Sequence, residues 1–145
     1  MTDIKWTTDL DSKIYEDAKA IRFKVFVDEQ EVPEELEIDE LEADSHHLVI
    51  YLDGKEVATA RIYEIDEGFY KIQRVAVYKD HRGSGYGALA IQKAEERVRE
   101  LGGNKVLLGA QLQALPFYEK LGYSVVSEEY LDAGILHRDV VKNLK

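Results

Sequence analysis

Apolar residues recur at Ile14, Ala18, Ile21 and Val25, which places them on one side of an α-helix. Asp11 or Ser12 supplies the side-chain oxygen that caps a helix start, and the helix is predicted to end before Pro33. The segment that follows has no regular period, apart from Leu36, Ile38 and Leu41, which are expected to dip into the surface. The pattern then changes. His47 to Leu52 and Glu56 to Tyr63 are β-rich runs joined by Asp53-Gly54, a pair that accepts the positive φ angles of a tight hairpin. Asp66-Glu67-Gly68 marks another turn, and Phe69 to Tyr78 reads as a third strand, so three antiparallel strands are expected before the glycine cluster at 83 to 87.

Beyond that cluster, Leu89, Ala90, Ala94, Val98 and Leu101 form a helical stripe that stops at Gly102-Gly103. Val106 to Ala110 is an uninterrupted apolar run, as expected of a central strand buried on both faces. Strand, glycine loop, helix and strand in that order imply a parallel, right-handed crossover. Leu115 to Leu121 reads as a short helix closed by Gly122, and Tyr123 to Glu129 and His137 to Lys142 as the last strands. The expected architecture is an α/β (α+β) domain over residues 1–145, with a mixed, mostly antiparallel sheet of about six to seven strands flanked by helices.

Length and composition agree with one soluble domain. A chain of 145 residues buries roughly 68–70% of its unfolded surface. There is no cysteine, so acyl chemistry on this chain would not pass through a protein thiol. No basic leader followed by an apolar stretch opens the chain and no long apolar run occurs, so a cytoplasmic location is expected. The net charge of −10 argues against nucleic acid and anionic membrane as partners, since both require cations on the protein. Ten acids fall between Asp28 and Asp44 without one Lys or Arg. That run reads either as a solvated loop or as a rim that attracts a cationic substrate.

The richest chemistry lies in Arg82-Gly83-Ser84-Gly85-Tyr86-Gly87, between a strand and a helix. Glycines let the backbone turn its N–H groups toward one point, and a helix N-terminus adds partial positive charge, so the segment is an anion cradle. A Walker-type loop would close with Lys-Ser or Lys-Thr, whereas Gly87 precedes Ala88-Leu89. A dinucleotide loop is formally matched by Gly85 to Ala90. Against it stand the five residues from Tyr78 to Arg82 between strand and loop, and the lack of an acidic residue in Val106 to Ala110.

With Val75-Ala76-Val77 before it, the glycine segment resembles the coenzyme A pyrophosphate motif of the GNAT superfamily of N-acetyltransferases. Ala114-Leu115-Pro116-Phe117-Tyr118-Glu119-Lys120-Leu121-Gly122-Tyr123, about 30 residues on, resembles that family's second motif. Ile21 to Val27, Glu29-Gln30, Ala58 to Arg61, Lys71 to Val77 and Gly134 to His137 are similar to its small ElaA/YjcF-like branch. The resemblance implies the GNAT fold with two splayed parallel strands, acetyl-CoA as co-substrate without a metal, and transfer of an acetyl group to a primary amine of a small molecule or peptide. It implies that the backbone of Val75, Ala76 and Val77 pairs with pantetheine, that Arg82 to Gly87 hold the pyrophosphate, that the Val75 amide faces the developing oxyanion, and that Tyr118 protonates the departing sulfur. Several members pair through sheet edges, so a homodimer is one option.

The base is not fixed by resemblance, because Lys71 stands where some histone-modifying members carry a glutamate. Ordered water, Glu64, His47 and Glu29 are the candidates. His137, in a Gly-Ile-x-His pattern, lines the acceptor pocket or is structural; Arg61 and Arg74 bind a substrate carboxylate or pair with surface acids. His46 and His47 are neighbours on a strand and so face apart, which does not suit a metal. Two other functions fit the same cradle: a non-catalytic acyl-CoA sensor, and a transferase of longer acyl groups.

Overall fold

A computed structural model of the protein describes residues 1–144. The strands are β1 (Thr2–Thr7), β2 (His46–Leu52), β3 (Lys55–Asp66), β4 (Phe69–Val77), β5 (Lys105–Gln111), β6 (Ser124–Val125), β7 (Tyr130–Asp132) and β8 (Ile135–Asn143). The helices are α1 (Lys13–Arg22), α2 (Glu34–Glu37), α3 (Tyr86–Glu100) and α4 (Leu115–Lys120). The strands form one eight-stranded sheet in the order β1-β2-β3-β4-β5-β8-β6, with β7 also on β8. Among the described residues only β4 and β5 run parallel, joined by the crossover through α3.

Ser12 caps α1, its hydroxyl accepting from the Tyr15 amide, and Ile21 and Val25 carry the apolar stripe onto Val49 and Ala76. After Arg22 the helix widens into a π-helical segment, Phe23–Glu29, closed by a bond from the Gln30 amide to the Val25 carbonyl. On the opposite face, Ala90, Ile91, Ala94 and Val98 of α3 pack over core residues of the sheet such as Leu48, Ile50, Ile72 and Leu108.

Four expectations change. A strand, β1, precedes α1 and aligns Ile4 and Trp6 against β2, so four strands come before the glycine loop. Strand β5 alternates instead of being buried throughout: Val106, Leu108 and Ala110 are buried, and the residues between them are only partly so. Regular structure between Tyr123 and Glu129 shrinks to Ser124–Val125, and β7 takes the outer place on β8. In the acidic segment, Leu36 and Ile38 lie outside while Glu37 and Glu42 are buried.

Candidate active site

Opposite β3, strand β4 carries one extra residue: Thr59 pairs with Ala76, but Arg61 pairs with Gln73. Such a bulge exchanges the two faces of a strand. Tyr70 and Ile72 point to the α3 side before it; after it Val75 and Val77 do, and Ala76 turns to α1. Arg74 sits in the bulge at φ +56, a conformation disfavoured for a residue with a β-carbon. Its guanidinium is held at 3.0 Å from Glu37 and 3.4 Å from Asp39, with Nη2 donating to the Leu36 and Glu37 carbonyls.

Strand β4 leaves β5 before the bulge is reached. The two strands pair at Phe69, Tyr70 and Lys71 against Lys105, Val106 and Leu107, and no further, although both continue. A cavity of about 500 Å³ occupies the gap. On its α3 side lie Val75, Leu108, Ala110 and Tyr118; on its α1 side lie Gln30, Lys71, Arg74, Gln111, Tyr130 and His137. The cavity is therefore lined by residues from both faces of the sheet.

Between β4 and α3, Gly83 and Gly85 have φ of +83 and +87, Gly85 is the N-cap of α3, and Gly87 lies against Phe117 and Val77. The amides of Tyr86, Gly87 and Ala88 precede the first intrahelical bond, from Leu89 to the Gly85 carbonyl. No side chain caps this end and no acid lies in the first turn. A β-carbon on Gly83 or Gly85 would meet nothing, so these glycines are required by backbone angle and by open access, not by packing. The pattern fits a phosphate held by main-chain amides. Arg82 beside it donates from Nε to the Val77 carbonyl at 3.0 Å and pairs with Glu29 at 2.8 Å.

Tyr118, on α4, is 9% exposed and edge-on to Phe117 and Tyr123. Burial pushes its phenol up to about 12. It thus stays protonated across the working range as a hydrogen-bond donor, but is a weaker acid than an unperturbed phenol.

The remaining sequence candidates separate. His137 and Arg74 reach the cavity. His47 and Arg61 do not: each is 1% exposed in an ion cluster beneath it. There Arg22, Arg61 and Arg74 meet Glu37, Asp39 and Glu42. Tyr15 donates to Glu42 at 2.8 Å, and His47 Nε2 lies 2.9 Å from the Glu42 carbonyl. Burial lowers the His47 imidazole, disfavouring its charged form. Glu64 is exposed and accepts from the Gly68 amide at 3.1 Å, and Glu29 is engaged by Arg82. The acids that suggested a rim for cations are thus partly neutralised from within.

This cluster makes a stability prediction. Burial alone would raise the Glu42 carboxyl, but hydrogen bonds and charge from Arg22, with Tyr15 and Arg61, bring it down to about 2. A carboxyl held below its unfolded value stabilises the fold above that value and ceases to do so as pH falls through the folded one. The contribution of Glu42 to native stability should therefore be lost between about pH 5 and 2. Glu42→Gln should cost about 3 kcal/mol at neutral pH, by leaving buried arginine charge unpaired. Urea denaturation across pH measures both, and an unchanged midpoint would refute the role.

Sequence reasoning did not find Gln30, Gln111 or Tyr130. Gln111 donates to Gln30 at 3.0 Å, across the two walls of the cavity. Gly109 is the one signal: a β-carbon there would come within 2.5 Å of the Tyr130 hydroxyl, so the glycine makes room for that ring.

A split parallel pair with a glycine-capped helix beneath it defines a class, and comparison with known proteins agrees. Residues 12–123 match the family model of the acetyltransferase (GNAT) family, and the chain belongs to that family of acyltransferases. Within it, the chain is similar to YjcF of Bacillus subtilis, an uncharacterized N-acetyltransferase, with 44% identity over 128 residues covering 88% of this chain and 91% of YjcF. It is also similar in structure to Escherichia coli ElaA, at TM-score 0.87 and 28% identity over 98% of this chain and 99% of ElaA. An acyl-CoA N-acyltransferase from Pseudomonas aeruginosa superposes at TM-score 0.87 and 29% identity, covering 98% and 99%. Among the described residues no helix is long and apolar enough to cross a membrane.

Proposed function

We propose that the protein transfers an acetyl group from acetyl-CoA to a primary amine by direct attack, without a covalent enzyme intermediate. The observation that carries this reading is the gap between β4 and β5, lined by a protonated phenol and followed in the chain by an anion cradle at the start of α3. The cradle from Arg82 to Gly87 would hold the diphosphate, and the free edge of β4 from Val75 through Ala76 to Val77 would pair with the pantetheine amides. Acetyl-CoA supplies the activated carbonyl. The Val75 amide, next to the bulge, would face the oxygen on which charge develops, and such preorganised donors are worth most where water is excluded. Tyr118 would donate to the departing sulfur.

The α1 side of the gap suits the acceptor, since it is lined by polar groups. A screen of amines with acetyl-CoA tests the reading. Free thiol and N-acetylated product are expected in equal amounts for at least one acceptor class. Coenzyme A binding without turnover of any amine would contradict it.

A further inference from the structure

The amine reading leaves one chemical requirement unmet: an alkylamine is an ammonium ion at neutral pH and must lose a proton before its nitrogen can attack. None of Glu29, Glu64 and His47 can meet it from its place in the fold. Glu29 is paired with Arg82, Glu64 is outside the cavity, and His47 is sealed. We propose that His137 is the general base, acting through Nε2 from the face of the sheet opposite Tyr118. This rests on the amine reading of the same site.

Three observations support it. First, His137 Nδ1 lies 2.7 Å from the Ile135 carbonyl. A carbonyl only accepts, so Nδ1 carries the hydrogen, and in the neutral ring Nε2 holds the lone pair. Second, that lone pair is available. His137 lines the cavity, and Nε2 neither bonds to another described residue nor belongs to the sealed, unpartnered atoms. Third, the ring is fixed. It stacks on Tyr130 at 5.9 Å and 21°, and Tyr130 is anchored by donating to Asp139 at 2.6 Å over the space left by Gly109.

Topology then sets the two proton-handling groups apart. On β8, Val140 pairs with Leu108 and shares the Tyr118 core, whereas His137 pairs with Gln111 on the other face. This division suits acyl transfer, because the nitrogen loses its proton and the sulfur gains one at different positions around the tetrahedral carbon. Tyr130 packs on His137 and donates to Asp139 of β8, and the other titratable groups that line the same cavity are Asp132 of β7, Lys71 and Arg74 of β4, Tyr118 of α4, and Glu37 and Asp39 from the acidic segment.

The protons balance. Nε2 takes one from the ammonium, and the neutral amine forms the C–N bond as the carbonyl electrons move to oxygen. Collapse breaks the C–S bond, and the phenol of Tyr118 protonates the sulfur. The second proton lost by nitrogen returns to the phenolate through solvent, and the imidazolium releases the first to bulk water.

His137→Asn tests this, since an amide N–H can still meet the Ile135 carbonyl but no base remains. With the alkylamine that the native enzyme turns over best, kcat/KM is expected to fall by about 100-fold. With O-methylhydroxylamine, already neutral at neutral pH, the loss should be less than about 5-fold, because no proton need be removed before attack. Coenzyme A affinity should be unchanged. Equal losses for both acceptors would overturn the base and leave amine transfer intact. No turnover of any amine by the native enzyme would overturn the amine reading, and the base with it. Independently of folding of the variant, ¹⁵N spectra of the native protein should show His137 protonated at Nδ1; the Nε2–H tautomer would overturn the proposal.

Discussion

Gly85→Asp is expected to weaken coenzyme A binding about 1,000-fold while the protein stays folded. A carboxylate some 4–5 Å from a phosphate costs about 4 kcal/mol at an effective dielectric of 20, and each 1.4 kcal/mol is tenfold. The folded state loses less. Position 85 has φ +87, which costs a residue with a β-carbon about 1–2 kcal/mol, but that β-carbon meets no other atom within 4 Å. Gly85→Asn carries the same backbone cost without the charge and should retain most of the affinity. Calorimetric titration with coenzyme A, beside thermal unfolding, separates the two effects. Normal binding by the aspartate variant would contradict the cradle.

Tyr118→Phe is expected to lower kcat about 500-fold with coenzyme A affinity nearly unchanged, since the hydroxyl is needed only as charge builds on sulfur. The fold should tolerate the change, because the ring keeps its contacts with Phe117 and Tyr123. A phenol raised to about 12 by burial also predicts that no basic limb due to this residue appears below about pH 11. Full turnover by the phenylalanine variant would remove Tyr118 from the chemistry.

The elements set by near neighbours in the chain were the most legible in the sequence. Ser12 before a four-residue apolar spacing, Asp53-Gly54 between two β-rich runs, and glycines before and after α3 each specify local geometry through near neighbours. What could not be read depends on partners distant in sequence. Glu37 and Glu42 are drawn inside because Arg22, Arg61 and Arg74 converge on them from α1, β3 and β4, and Leu36 and Ile38 are left outside in exchange.

The bulge was hidden for the same reason. A positive φ is ordinarily marked by Gly or Asn, yet position 74 carries an arginine whose guanidinium is held in the acidic segment. Strand β5 looked buried on both faces because Leu107 and Gly109 are apolar by composition, although their side of the strand borders the cavity. His137 was visible as a residue but not as a base. Its tautomer depends on a carbonyl two positions back, and its access depends on the gap itself.

A crystal structure with bound coenzyme A tests the central claim most directly. The diphosphate should lie against the amides between Gly83 and Ala88, pantetheine should run along β4 at Val75 to Val77, and the sulfur should sit within hydrogen-bond reach of the Tyr118 hydroxyl. Coenzyme bound elsewhere with the β4–β5 gap empty, or a phenol turned away from the sulfur, would contradict it.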